Sequence, residues 1–108
     1  MEITTLEKVQ CLQQYVIASR LTVDPVLDMS LNKLLVRELT RTQKLKKRLL
    51  NQLATFEDSY SLSSSEFYKR YEKGEMGDEM DFVEWAATVE MLTNVEKRLT
   101  LLQIGSNL

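Results

Sequence analysis

From Val26 to Ser59 the chain contains neither glycine nor proline, and no other feature limits its fold as strongly. Apolar residues recur through this stretch as Leu27, Leu31, Leu34, Leu35, Leu39, Leu45, Leu49, Leu53 and Phe56, with gaps mostly of three or four. That spacing describes one face of an α-helix. Asp24 and Pro25 stand where such a helix begins: an N-cap aspartate, then a proline whose missing N–H is no loss at the first helical position. The pattern predicts one helix of roughly 34 residues, about 50 Å long at 1.5 Å per residue. Its apolar row is interrupted at Thr42.

A helix of that length needs a partner for its apolar face. The end of the chain offers one. Phe82, Trp85, Val89, Leu92, Val95, Leu99 and Leu102 are separated by three or four residues, and Trp85, Leu92 and Leu99 by seven, as in a coiled-coil seam. This second helix is expected from just after Asp78 to about Gln103, ended by Gly105 and Ser106, with the last residues frayed. Two long helices and a compact connector predict an all-α fold, an antiparallel helical hairpin. The second helix, at roughly 25 residues, is too short to cover the first and leaves on the order of 14 Å open. The open part holds Leu27, Leu31 and Leu35, which residues 1–23, a second copy or another protein must bury. A homodimer on the long helices, with Leu31 and Leu35 near the interface, is the expectation.

The connector, Tyr60 to Trp85, contains Gly74, Gly77 and most of the aromatic residues. Ser63 and Glu66 have capping-box spacing, in which the serine hydroxyl accepts from the Glu66 amide and the Glu66 carboxylate reaches back to the Ser63 amide. Leu62 and Phe67 occupy the two positions of a hydrophobic staple. Phe67 and Tyr71 share a helical face, and Gly74 supplies the left-handed residue that ends a helix of about ten residues. Gly77 makes the next break, Asp78 caps the following helix, and Trp85 belongs in the hairpin core. Glu75, Asp78, Glu79, Asp81 and Glu84 also raise the question of a metal, since hard cations take carboxylate oxygens. Their spacing is not that of an EF-hand loop, and the chain has no histidine. Capping and complementing the helix dipole is the preferred reading, with no metal and no cofactor.

Residues 1–23 are more ambiguous. Leu6, Val9, Leu12 and Val16 have helical spacing, and Thr4 or Thr5 can cap a helix with Glu7 nearby. A helix over about 5–19 and a short extended link is favoured, with a strand at 20–23 as the alternative. The expected organisation is an N-terminal segment, 1–24, and a hairpin domain, 25–108.

With no histidine and one cysteine, Cys11, the usual serine, cysteine and zinc hydrolase arrangements lose their base or their ligands. Gly74 and Gly77 do not make a phosphate-binding loop. Cys11 reads as a small buried hydrophobe, and the chain as not an enzyme. Hydrophobic residues at 44% and charged residues at 28% fit an ordinary folded domain, and no run is long enough to span a membrane. Together with the single cysteine this points to the cytoplasm. Charge is segregated along the chain. Residues 29–56 set Lys33, Arg37, Arg41, Lys44, Lys46, Lys47 and Arg48 against Glu38 alone, a local charge of +6, whereas residues 57–84 carry −6. Nucleic-acid binding through 33–48 is therefore a possible use, opposed by the acidic half and by the lack of aromatic residues in the basic one.

Tyr60, Ser64, Ser65, Glu66, Phe67, Tyr71, Glu72, Gly74, Glu75, Gly77, Asp78, Asp81, Phe82, Glu84 and Trp85 resemble a pattern of small helical proteins of bacteria and archaea labelled as antitoxins of toxin–antitoxin pairs. The likeness covers about residues 25–102. It implies a non-catalytic protein that binds and restrains a small toxin, commonly a ribonuclease. Many antitoxins also bind their operator through a ribbon-helix-helix fold, but residues 26–59 lack the break that fold needs. In this reading Leu27, Leu31 and Leu35 are apolar anchors, and Lys33, Arg37 and Arg41 supply steering. The alternatives are a dimeric nucleic-acid-binding regulator using 33–48 and a purely structural coiled-coil dimer.

Overall fold

The computed structural model describes residues 2–19 and 24–106; the link or strand expected at 20–23 and the frayed end at 107–108 lie outside them. Among the described residues all regular structure is helical: α1 (Thr5–Ser19), α2 (Pro25–Tyr60), α3 (Ser64–Glu72) and α4 (Met80–Ser106). The chain divides into two compact units, Met1–Leu34 and Leu35–Leu108.

Each helix start has a local chemical cause. Thr4 caps α1: its hydroxyl oxygen accepts from the Glu7 amide at 3.1 Å while its hydroxyl donates to the Glu7 carboxylate at 3.1 Å. Asp24 caps α2, its carboxylate accepting from the Val26 amide at 2.9 Å. The helix then runs 36 residues without a break, two more than the spacing suggested. Ser63 caps α3 by accepting from the Glu66 amide at 3.2 Å. The other half of the expected capping box is replaced, because the Glu66 carboxylate binds the Arg70 guanidinium at 3.2 Å, one helical turn further on. At α4 the start is shifted. Glu79, not Asp78, stands at the cap, its carbonyl accepting from Phe82 and Val83.

The helix ends are equally specific. Gly74 closes α3 with φ +75, and the amides of Gly74 and Glu75 donate to the carbonyls of Tyr71 and Arg70. This is the paired-bond ending that a left-handed residue permits. Gly77 has φ +79 and lets the chain turn into α4. Gly105, expected to end α4, lies within it, and a Cβ there would meet Leu35 Cδ1 at 3.3 Å. Its small size, not its backbone freedom, is what that position uses.

In the unit Leu35–Leu108, α2 and α4 pack together. Leu49 is buried with Val95 and Leu99, and Leu53 with Trp85, Ala86 and Phe67 of α3. Every α4 residue picked out by its spacing is buried or half-buried. Thr42, which breaks the leucine row, still faces inward at 2% exposure; its hydroxyl donates to the Glu38 carbonyl at 2.7 Å. A buried hydroxyl is tolerated because its own helix supplies the acceptor. Leu34, which the row also included, is 54% exposed.

Ser61 ends α2 in the left-handed region, φ +51, while the Leu62 amide donates to the Glu57 carbonyl at 3.3 Å. A side chain there costs about 1 kcal/mol or more that glycine avoids, less the entropy glycine adds to the unfolded chain. Ser61→Gly is predicted to raise stability by about 0.5–1 kcal/mol. Thermal denaturation with a lowered midpoint would show that the serine is not strained.

Candidate functional site

Three regions can carry function: the aromatic junction of α2, α3 and α4, the charged surface of α2, and the apolar surface of Met1–Leu34.

The junction is built on Trp85, which is fully buried. Phe67 stacks on the indole with ring centroids 3.9 Å apart and planes within 3°, and Phe56 stacks at 5.5 Å. The indole N–H donates to Ser64 Oγ at 2.9 Å, and the Ser64 amide donates to the Glu57 carboxylate at 2.7 Å. One serine thus joins the start of α3 to both long helices. Leu62 packs against the same cluster, as the staple requires. Two phenols add ties: Tyr60 donates to Asp81 at 2.6 Å and Tyr68 to Glu90 at 2.8 Å. Of the connector residues, Phe67 and Trp85 lie in this cluster, Ser63 and Glu66 stand at the start of α3, and Gly74 and Gly77 form the turns that follow it. Asp78 follows Gly77 as the residue before the cap. The two phenol–carboxylate bonds and the Ser64–Glu57 bond left no legible mark in the sequence, because 7 to 22 residues separate the partners. Among the described residues, no group of three His, Cys, Asp or Glu side chains is arranged to hold a metal.

On α2, Glu38 lies between Arg37 at 3.0 Å and Arg41 at 3.4 Å. These arginines are more than 60% exposed, so each pair contributes little stability and the cations remain open to a ligand. Lys33, Lys44, Lys47 and Arg48 are exposed as well. Leu27, Leu31 and Leu35, expected as open anchors, are each half-buried. Leu35 lies against Gly105.

The unit Met1–Leu34 is different in kind. Among its described residues none is buried. Leu6, Val9, Tyr15, Ile17, Val26 and Met29 are all more than half exposed, and Cys11, expected inside, is exposed too. A groove of about 320 Å³ runs between Val9, Leu12, Val16 and Ile17 of α1 and Leu31 of α2. Leu31 is thus joined to a larger apolar surface that the helical spacing of α1 already outlined. No helix among the described residues is long and apolar enough to cross a membrane.

Removing the Ser64 hydroxyl strands a buried indole N–H. Ser64→Ala is predicted to cost about 1–3 kcal/mol, and Trp85→Ala about 3–5 kcal/mol, both by thermal or urea unfolding. Unchanged stability in Trp85→Ala would remove it from the core.

The acceptor carboxylates of Asp81 and Glu90 raise the Tyr60 and Tyr68 pKa values above 10, first through their hydrogen bonds and then through desolvation and charge. The folded state therefore holds these protons more tightly than the unfolded chain. The resulting stabilisation is complete below about pH 10 and is lost as pH rises through the folded values. Unfolding midpoints should fall in that alkaline range, and less steeply in the Tyr60→Phe, Tyr68→Phe double variant. Equal slopes would rule the phenols out as the cause.

No family model, no curated protein and no solved structure matches this chain.

Proposed function

We propose that this chain is a non-enzymatic, cytoplasmic protein-binding module whose partner covers the apolar surface of Met1–Leu34. One observation carries this reading: among its described residues, that unit exposes apolar side chains along both its helices and buries none of them. A segment of that size cannot hold an order by its own core, and contiguous apolar surface of this kind marks a place where another macromolecule binds. Recognition is of the helix-in-groove type, with Val9, Leu12, Ile17 and Leu31 as apolar contacts and Lys33 beside them for steering. The packing of α2 on α4 supports an antiparallel hairpin as the rigid body that carries the module.

The partner class follows from the resemblance of Tyr60–Trp85 to antitoxins: a small toxin, held inactive by the complex. Co-expression with the adjacent gene tests this. The neighbour alone should arrest growth, and this chain should restore it. Val9→Asp and Leu31→Asp should abolish the rescue while leaving the melting of the hairpin unchanged. A neighbour that is harmless alone, or toxic in spite of this chain, sinks the antitoxin reading.

A further inference from the structure

The seam between α2 and α4 has one face with no α3 residue on it. Three hollows of about 440, 350 and 430 Å³ follow one another along that face. The first two share Leu45 and Arg98, and the last two share Ala87, so they form one groove. Its α4 wall steps through Glu84, Ala87, Met91, Asn94 and Arg98, every three or four residues, as a single stripe.

The groove is polar in the electrical sense. At one end Arg41, Lys44, Arg48 and Arg98 converge, and among the described residues only Arg41 of these has an ion-pair partner, Glu38, which it shares with Arg37. At the other end the wall carries Glu84. Between them lie Met91, 47% exposed, and Ala87, with Asn94 and Glu90 beside them, the Glu90 carboxylate accepting from the Tyr68 hydroxyl. Met91 is midway between Glu84 and Arg98, about 10 Å along the helix from each.

We propose that this groove is a self-complementary interface that binds a second copy of the chain about a two-fold axis at Met91. The axis carries Arg98 of one copy onto Glu84 of the other, and the reverse, so each cationic end meets an anionic one. Met91 and Ala87 of the two copies meet at the centre, where small and flexible apolar side chains let helices approach closely. Two helix pairs joined in this way make a four-helix bundle. The inference rests on the hairpin arrangement but not on a toxin, and it moves the dimer contact away from Leu31 and Leu35. A nucleic acid fits the groove less well: Glu38 lies within its cationic end, Glu84 opposes a polyanion at the other, and the cationic end has no aromatic side chain for bases to stack on.

The test uses the full chain with Cys11→Ser, by sedimentation and light scattering. The parent should dimerise. Arg98→Glu or Glu84→Lys alone should weaken the dimer at least about tenfold, since each sets like charges face to face. The Glu84→Lys, Arg98→Glu double variant should recover it. If a reversal variant fails to fold, Met91→Cys decides: under mild oxidation it should give a disulfide-linked dimer. A monomeric parent overturns the proposal. So does a dimer indifferent to both reversals, a double variant that stays weak, or a Met91→Cys chain that does not cross-link. A mass increase seen only with duplex DNA would overturn it in favour of a nucleic-acid surface.

Discussion

The hydrogen bond from the Trp85 indole to Ser64 is the contact on which the rest of the larger unit depends. A fully buried indole is favourable only if its N–H has a partner. Ser64 can be that partner because the Ser63 cap and the left-handed turn at Ser61 place the first turn of α3 beside α4. The aromatic stack then forms around a side chain whose position is already set. Cap, turn and core are thus one device.

Much of this was legible in the sequence, for definite reasons. The absence of glycine and proline over 26–59 left few alternatives to a long helix, and Asp24, Ser63 and Gly74 act through neighbours within five residues. The α4 stripe was readable because every turn of that helix has an apolar residue on the same face. Some departures are choices between near-equivalents, whereas Cys11 and Leu34 have helical spacing yet lie exposed. Glu79 and Asp78 can both begin a helix, and Glu66 can reach either back to the Ser63 amide or forward to Arg70. Gly105 reads as a helix stop in one dimension and as room for Leu35 in three. The groove could not be read at all, because it joins residues from two helices about 30 to 60 positions apart.

The two units divide the physical work unequally. The larger has a stacked aromatic core, paired phenols and a closed set of caps. The smaller has caps but no buried side chain among its described residues. Helix formation there has local support without the tertiary burial that supplies most helical stability.

Thr42 has a consequence for how the long helices are aligned. Its hydroxyl is satisfied by the Glu38 carbonyl of its own helix, so it makes no demand on whatever lies across the seam. The surrounding contacts of Leu39, Leu45 and Leu49 are apolar and indifferent to direction. Three side-chain hydrogen bonds tie α4 to the other helices at Asp81, Trp85 and Glu90, all in its first half. The pair is therefore clamped by directional bonds at the aromatic junction. Register is thus set at the junction, and a change of side-chain volume near Leu35 and Gly105, where an added Cβ would press on Leu35, acts far from the contacts that set it.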